Sequence, residues 1–329
     1  MTAALMEREE MYAMTTASEI SQNVWLGPTP NQNLGDAQDE GSEAFNILIE
    51  TTDLSPPPDV EVLNRVEQNS SNSQQSVEFP SSGSILPQSW PKDSMDPLSA
   101  MCQWIYTITH HNEETDRSIE HCSEMKGDDI PMRDLGPGRR KVLLHCVDGY
   151  TETTLLAIAY IMYAERKPLH EAILYLHNQK KRNFFAYPSD MILLQSLQHT
   201  LMTGRQRRNG ARPRISNVQS PSWLSRMDGS LPSRVLPYLY LGNLVHANNP
   251  DLIKALNIGQ ILSIGEPVSW IPKTQAGIPQ VTENIMFVDR IQDNGIDSLA
   301  GEIDRCLDFI GKCPFQVARW ARTSNHPLI

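Results

Sequence analysis

A cysteine placed between an apolar run and a glycine-containing loop is the feature of this sequence best suited to chemistry. Residues Val142 to Ala164 read VLLHCVDGYTETTLLAIAYIMYA. The apolar run leads into His145 and Cys146, a loop with Asp148 and Gly149 follows, and a second apolar run suits a helix. The first N–H groups of such a helix lack partners, so together with the helix dipole they form an anion site. The order of strand, loop and helix therefore predicts an anion site that faces Cys146 and holds it partly as thiolate.

The same residues resemble a known signature. His145, Cys146 and Gly149 match the start of the His-Cys-x-x-Gly-x-x-Arg-Ser/Thr signature of cysteine-dependent protein phosphatases, particularly the dual-specificity class. Thr153 falls on the Ser/Thr position, whereas Glu152 occupies the position of the arginine. The resemblance implies that Cys146 is the nucleophile and that the loop N–H groups cradle a phosphoryl group. The residues at the predicted phosphate-binding positions are Val147, Asp148, Gly149, Tyr150, Thr151 and Thr153.

Glu152 is the departure from the signature that bears most on activity. An arginine there would hold two phosphoryl oxygens with a planar fork that stays charged. A glutamate removes that clamp, repels the phosphoryl charge and raises the pKa of a nearby thiol. Glu152 also has a structural interpretation, because a carboxylate at a helix N-terminus is stabilised by the dipole and can accept the unpaired N–H groups. On this interpretation the site is filled by its own side chain.

Cys146 allows two interpretations, and two functions follow from them. Free cysteines are usually buried structural thiols, whereas the position between strand and glycine loop favours a nucleophile or a former nucleophile. The first function is a phosphatase-like regulatory or phosphate-binding protein with little turnover, which the missing arginine favours. The second is a working tyrosine or dual-specificity phosphatase that uses Cys146 through a thiophosphate intermediate. Phosphoproteins are the partners that the family resemblance implies for both.

The elements around the loop resemble a three-layer α/β phosphatase domain, with a mostly parallel sheet flanked by helices. Strand-like runs occur at Val24–Pro28 and Phe45–Ile49. The segment from Glu67 to Trp90 is rich in Ser, Asn, Gln and Pro and predicts a loop, although the family resemblance places a strand at Val77–Phe79. Helical patterns begin at Pro97, Glu152 and Pro168, and at Ser189 as an N-cap.

The chain also contains an internal repeat of this plan. Leu239–Gly242 matches Val24–Gly27, and Ile261–Ile264 lies at nearly the same downstream distance as Ile47–Ile49. The second copy adds a strand at 285–288 and a helix at 303–310. The arrangement resembles the fungal two-domain dual-specificity phosphatases, in which a degenerate N-terminal phosphatase domain precedes an active C-terminal one.

The second copy is not followed by a second cysteine loop. Residues Cys313–Ile329 show neither β alternation nor a glycine loop, which indicates a truncated or altered reading frame. The second domain is therefore expected to lack its central strand and to expose apolar surface.

An acid that protonates the leaving oxygen is the third requirement of a phosphatase of this kind. The family places it after the strand at Val77–Phe79, where this sequence reads Pro80-Ser81-Ser82-Gly83-Ser84 and holds no aspartate. In the second copy Asp289 and Asp293 are both suitable acids, but no nucleophile loop accompanies them. Neither copy carries the complete catalytic set.

The domain boundaries follow from these patterns. We expect a tail at 1–17, a phosphatase-like domain at 18–203, an Arg-rich linker at 204–230, a partial second copy at 231–312 and an atypical tail at 313–329. The arginines of the linker favour a solvated connector over a nuclear-localisation signal or a site for an acidic partner.

Composition and charge exclude several other kinds of function. The chain has 329 residues and a formal charge of -11, which argues against nucleic-acid binding. Its five cysteines are irregularly spaced and suit a reducing compartment. A signal-peptide layout is absent from the first residues, and the most apolar run, Leu155–Ala164, is shorter than the ~20 residues that span a bilayer. We therefore expect a soluble protein of the cytoplasm or nucleus, without membrane insertion, cofactor or metal.

Overall fold

The computed structural model describes two compact units, one within residues 16–204 and the other within residues 220–311. The described residues are 16–30, 45–68, 74–84, 96–110, 140–204, 220–270, 284–292, 294 and 296–311. Predictions for Asp293, for the C-terminal tail and for most of the N-terminal tail and the Arg-rich linker lie outside these residues.

The first unit is built on a five-stranded sheet in the order β1-β2-β5-β3-β4. Its strands are β1 Ser18–Ser21, β2 Val24–Pro28, β3 Ile47–Thr52, β4 Gln75–Pro80 and β5 Val142–Cys146. β1 pairs antiparallel with β2, and the other neighbours pair in parallel. All residues of the central strand β5 are buried, as expected of a parallel strand covered on both faces. The predicted α/β class with a mostly parallel sheet is confirmed.

Helices flank this sheet. They are α1 Val60–Gln68, α2 Pro97–His110, α3 Thr154–Ala164, α4 Leu169–Leu174 and α5 Pro188–Thr203, and α4 continues into a π-helical turn at Tyr175–Gln179. All eleven residues of α3 are buried, because this helix packs against α2, α4 and α5. The prediction that the helix after the cysteine loop is buried all round is confirmed. In the described ranges, every helix is too short or too polar to cross a bilayer.

Two sequence-based predictions are wrong at the level of local structure. The segment from Glu67 to Trp90 contains strand β4, because pairing with β3 outweighs its polar composition. Helix α5 begins at Pro188 with Tyr187 as N-cap, rather than after an N-cap at Ser189. A proline suits the first helical position, where the N–H that it lacks would have no partner within the helix.

The second unit repeats the outer parts of the first. Its strands are β6 Ser233–Leu236, β7 Leu239–Leu241, β8 Ile261–Ile264 and β9 Ile285–Val288, and its helices are α6 Leu244–Ala247, α7 Pro250–Ala255 and α8 Ile303–Gly311. β6 and β7 pair antiparallel, as β1 and β2 do, and β8 and β9 pair in parallel, as β3 and β4 do. The strands and the helix predicted for the second copy are confirmed.

The two strand pairs of the second unit form separate sheets. Within the described residues no strand joins β7 to β8, where the first unit has β5 between β2 and β3. Leu241 and Ile264, which end β7 and β8, are 70% and 44% exposed. The described residues of this unit therefore carry exposed apolar side chains at the ends of both strands, as the sequence predicts, and the missing central strand stays a prediction.

Candidate functional site at the cysteine loop

Cys146 lies at the end of β5, where backbone contacts from the neighbouring strand fix its position. Its side chain is 3% exposed. Its carbonyl accepts hydrogen bonds from the N–H of Thr29 at 2.8 Å and from the Thr29 hydroxyl at 3.1 Å. The same hydroxyl lies 3.1 Å from Nδ1 of His145, and burial lowers the pKa of that ring, so His145 is neutral at physiological pH. β2 and β5 thus present the thiol at a fixed point.

Gly149 turns the loop back over the sulfur. Its φ is +66°, and a Cβ at this position would lie 2.4 Å from the carbonyl carbon of Gly27 in β2. The backbone can take this course only because glycine has no side chain. In consequence the N–H of Gly149 donates to Sγ of Cys146 at 3.1 Å.

Two carboxylates share the space around that sulfur. Oδ1 of Asp148 lies 3.4 Å from Sγ of Cys146 and also accepts the N–H of Tyr150 at 2.9 Å. The carboxylate of Glu152 lies beside them, since ligand atoms of Cys146, Asp148 and Glu152 all lie within 4.8 Å of one another. The loop therefore closes on itself, and Asp148 takes an N–H group that would otherwise point at an anion.

The environment keeps Cys146 protonated. Burial raises the pKa of the thiol, and the neighbouring carboxylate of Glu152 raises it further. The N–H groups of Asp148 and Tyr150 lower the pKa of the thiol, but by less than burial and Glu152 raise it. The expectation of a partial thiolate at this helix N-terminus is therefore wrong, because desolvation and a carboxylate outweigh the backbone donors.

The N-terminus of α3 is capped from outside its own sequence. Thr153 is the N-cap residue, yet its hydroxyl is buried and makes no hydrogen bond to any described residue. Ser82, in the loop after β4, accepts the N–H of Leu155 at 2.8 Å and donates its hydroxyl to the carbonyl of Glu152 at 3.2 Å. Ser82 thus caps the helix and holds the backbone of Glu152 in place.

Asp190 is a buried acid that the sequence analysis missed. It lies in the first turn of α5 and accepts the N–H of Gly83 at 3.0 and 3.1 Å. Burial raises the pKa of its carboxyl to about 6. Sequence spacing gives no signal for this residue, because only the packing of α5 brings it to the loop after β4.

Replacing Asp190 with asparagine is expected to stabilise the protein at neutral pH and not at acidic pH. The folded state keeps a proton between about pH 4 and pH 6 that the unfolded chain has released. The buried carboxyl therefore does not destabilise the folded protein below about pH 4, where both states keep the proton. The folded protein loses stability as the pH rises from there through 6. Asparagine can still accept the Gly83 N–H and carries no charge.

The measurement is thermal unfolding of the wild type and of Asp190→Asn at pH 7.5 and at pH 4. We expect the variant to gain on the order of 2 kcal/mol at pH 7.5 and little at pH 4. A difference that is the same at both pH values would contradict the assigned burial of the carboxyl.

Arg182 supports the loop from behind. Its side chain is 1% exposed and donates to the carbonyls of Gly149 at 3.1 Å and Thr16 at 3.0 Å. Burial lowers the pKa of the guanidinium to about 10, so it remains charged at neutral pH. Through these bonds to two backbone carbonyls it braces the loop. The sequence hides this role, because Arg182 ends a Lys-Lys-Arg run that is typical of a solvated surface.

The structure brings some of the predicted residues together and separates others. Cys146, Asp148 and Glu152 meet at one point, whereas the side chain of Val147 is 86% exposed. Asp289 lies in the second unit with an exposed carboxylate 3.8 Å from Nε of Arg290. The assignment of the loop as a phosphate site stays a prediction. A thiol and two carboxylates are also ligands that divalent metals accept, so the predicted absence of a metal stays a prediction too.

Comparison with known proteins gives one clear similarity in sequence. No family model matches the chain. The dual specificity protein phosphatase PPS1 of Saccharomyces cerevisiae is 26% identical over 348 residues, which cover 82% of this chain and 39% of the relative. The chain thus spans about two fifths of the length of that relative. Part of the predicted resemblance, the similarity to a dual-specificity phosphatase, is confirmed.

Solved structures give weaker similarities. Tk-PTP in the active form is 18% identical with a TM-score of 0.31, and the match covers 56% of this chain and 96% of that chain. DUSP15 is 13% identical with a TM-score of 0.30, and the match covers 60% of this chain and 97% of that chain.

Proposed function

We propose that the first unit is a dual-specificity-phosphatase-like module whose cysteine loop is closed by its own acidic side chains. It acts as a regulatory or phosphoprotein-binding pseudophosphatase with little turnover. The observation that carries this proposal is the position of two carboxylates, of Asp148 and Glu152, beside the thiol of Cys146. A phosphoryl dianion would have to occupy that same space.

Hydrolysis through Cys146 would need steps that this loop opposes. A thiolate would attack phosphorus, an S–P bond would form, and the P–O bond to the leaving group would break as that oxygen takes a proton. Water would then attack the phosphorus and release phosphate and the thiolate. Here the sulfur is protonated, its neighbours repel the dianion, and the loop at 81–84 holds no acid to supply the proton.

The wider arrangement belongs to the same proposal. The sequence similarity to a dual-specificity phosphatase supports phosphoproteins as the partners. The repeated strand pairs support a two-domain plan of the fungal kind, with the first unit as the degenerate domain and the second unit as a partial copy.

A phosphatase assay tests the proposal directly. We expect the wild type to hydrolyse an aryl phosphate no faster than its Cys146→Ser variant, because the loop neither ionises the thiol nor accepts the dianion. Both proteins should be assayed beside an active dual-specificity phosphatase, which shows that the conditions support turnover. A rate that the wild type shows and Cys146→Ser loses would overturn the proposal.

One contact favours the alternative of a working phosphatase. The Gly149 N–H already donates to the sulfur, as it would to a thiolate nucleophile. On that alternative Glu152 turns away when substrate arrives, and the rate would depend on Cys146. The assay above separates the two functions.

A further inference from the structure

The cysteine loop of the first unit brings three side chains of metal-ligand type to one point. We propose that Cys146, Asp148 and Glu152 form a site for Zn²⁺, in which each side chain supplies one ligand and a water supplies the fourth. Metal binding is a function beyond the phosphoprotein binding proposed above. It would replace the sequence-based expectation of a protein without a metal.

The distances among the three side chains are close to those of a tetrahedral zinc site. Zinc lies about 2.3 Å from a cysteine sulfur and about 2.0–2.2 Å from a carboxylate oxygen, so two such ligands are about 3.5 Å apart. Oδ1 of Asp148 lies 3.4 Å from Sγ of Cys146. One oxygen of Glu152 lies within 4.8 Å of the ligand atoms of both residues. A rotation of this half-buried glutamate side chain brings the third ligand to the same spacing.

The mixture of ligands selects the metal. Paired carboxylates are common on protein surfaces, but here they meet the sulfur of Cys146, whose side chain is only 3% exposed. Thiolate sulfur is a good ligand for Zn²⁺, whereas Mg²⁺ and Ca²⁺ take oxygen ligands. The thiol releases its proton to solvent as the bond between sulfur and zinc forms. The ligand set therefore favours zinc over the harder cations.

The two carboxylates lack a cation from the protein itself. Within the described ranges, neither Asp148 nor Glu152 forms an ion pair. The buried guanidinium of Arg182 donates to the carbonyls of Gly149 and Thr16, so these hydrogen bonds hold the backbone and not the carboxylates. Two carboxylates held this close repel each other. A divalent cation between them removes that repulsion.

A buried hydroxyl next to the ligands supports a bound species. Thr153 directly follows Glu152, and its hydroxyl is buried without a hydrogen-bond partner in the part of the chain that the structure describes. Buried polar atoms usually have a partner, and an ordered water serves where no protein group does. A zinc ion with three protein ligands keeps a water in its fourth position. Such a water is a suitable partner for this hydroxyl.

Isothermal titration of the full chain with Zn²⁺ tests the site, after removal of metal by a chelator and in the presence of a phosphine reductant. We expect the wild type to bind Zn²⁺ and Glu152→Gln to bind it more weakly by about tenfold or more, because a neutral amide is a poor ligand for zinc. Glu152→Gln keeps all five cysteines, so binding to other thiols would be the same in both proteins. Equal affinities would overturn the proposal.

Glu61→Gln is the matched control for the loss of one charge. Glu61 lies exposed in the first turn of α1, and among the described residues it belongs to no group of metal ligands. This variant should bind Zn²⁺ as the wild type does. A loss of affinity as large as that of Glu152→Gln would mean that total charge governs binding, and would rule out the assigned site.

Cobalt identifies the sulfur ligand. Co²⁺ accepts the same kinds of ligand as Zn²⁺, and a thiolate bound to Co²⁺ gives a charge-transfer absorption band in the near ultraviolet. The wild type is expected to show this band and Cys146→Ser to lose it. A band of equal strength in Cys146→Ser would place the metal on other cysteines and overturn the proposal. Because no phosphate ester is present in these titrations, a failure to bind metal is distinguishable from the outcome of the phosphatase assay.

Discussion

Glu152→Arg is expected to raise the affinity of the protein for tungstate by about tenfold or more, which corresponds to about 1.4 kcal/mol. The substitution removes a negative charge beside the oxyanion and adds a planar cation that can hold two of its oxygens. Two unit charges 4 Å apart interact by roughly 4 kcal/mol at an effective dielectric near 20. Because Glu152 is partly exposed, solvent screens part of this energy, and tenfold is the smaller end of the expected change.

Isothermal titration calorimetry with tungstate measures this change, and Glu152→Gln is the matched control. Glutamine removes the charge without supplying the fork, so its affinity should fall between those of the wild type and Glu152→Arg. Equal affinities of Glu152→Arg and the wild type would mean that the backbone of residues 147–153 is not shaped as a cradle.

The same pair of variants should shift the ionisation of Cys146. Without the carboxylate that raises its pKa, the thiol is expected to ionise at lower pH, and most readily beside an arginine. The pH dependence of alkylation by iodoacetamide reports this order.

The sequence could predict that Glu152 raises the pKa of the Cys146 thiol, because Glu152 stands at a fixed position in a short signature. It could not predict the part played by Asp148, which the signature counts only as a member of the loop. In the structure its exposed side chain bends back to Sγ of Cys146 and accepts the N–H of Tyr150. Spacing tells which residues form a loop, whereas the direction of each side chain depends on the packing around it.

Arg182 and Asp190 were beyond sequence reasoning for a related reason. Charged residues are usually exposed, and these two are buried because α4, α5 and the loop after β4 meet around the cysteine loop. Their partners, the carbonyl of Gly149 and the N–H of Gly83, are backbone groups. Backbone partners leave no pattern of residue types that a sequence could reveal.

The strands were easier to predict where they are buried on both faces. Strand β5 is a continuous apolar run that ends in His145 and Cys146, and the sequence pattern of the second copy identified β7, β8 and β9 but not β6. β4 lies at the edge of the sheet, where Ser76 and Glu78 remain exposed, so its composition resembles that of a loop.

Gly149→Ala is expected to lower the stability of the first unit by about 3 kcal/mol or more, since the backbone angle and a steric overlap both oppose a side chain. An alanine at positive φ costs roughly 1 to 2 kcal/mol. The added methyl group would also lie 2.4 Å from the carbonyl carbon of Gly27 and 2.5 Å from its oxygen. Relief of that overlap requires β2 to move relative to β5, which breaks strand pairing.

Thermal unfolding is the measurement for Gly149→Ala, and a loss of that size corresponds to a fall in Tm of roughly 6 to 12 °C for a unit of this length. Gly259→Ala is the control, because a Cβ at Gly259 would meet no atom within 4 Å and its Tm should match the wild type. An unchanged Tm for Gly149→Ala would show that the loop does not pack on β2. In that case the contact between the Gly149 N–H and the Cys146 sulfur, on which the shape of the site depends, would lose its structural basis.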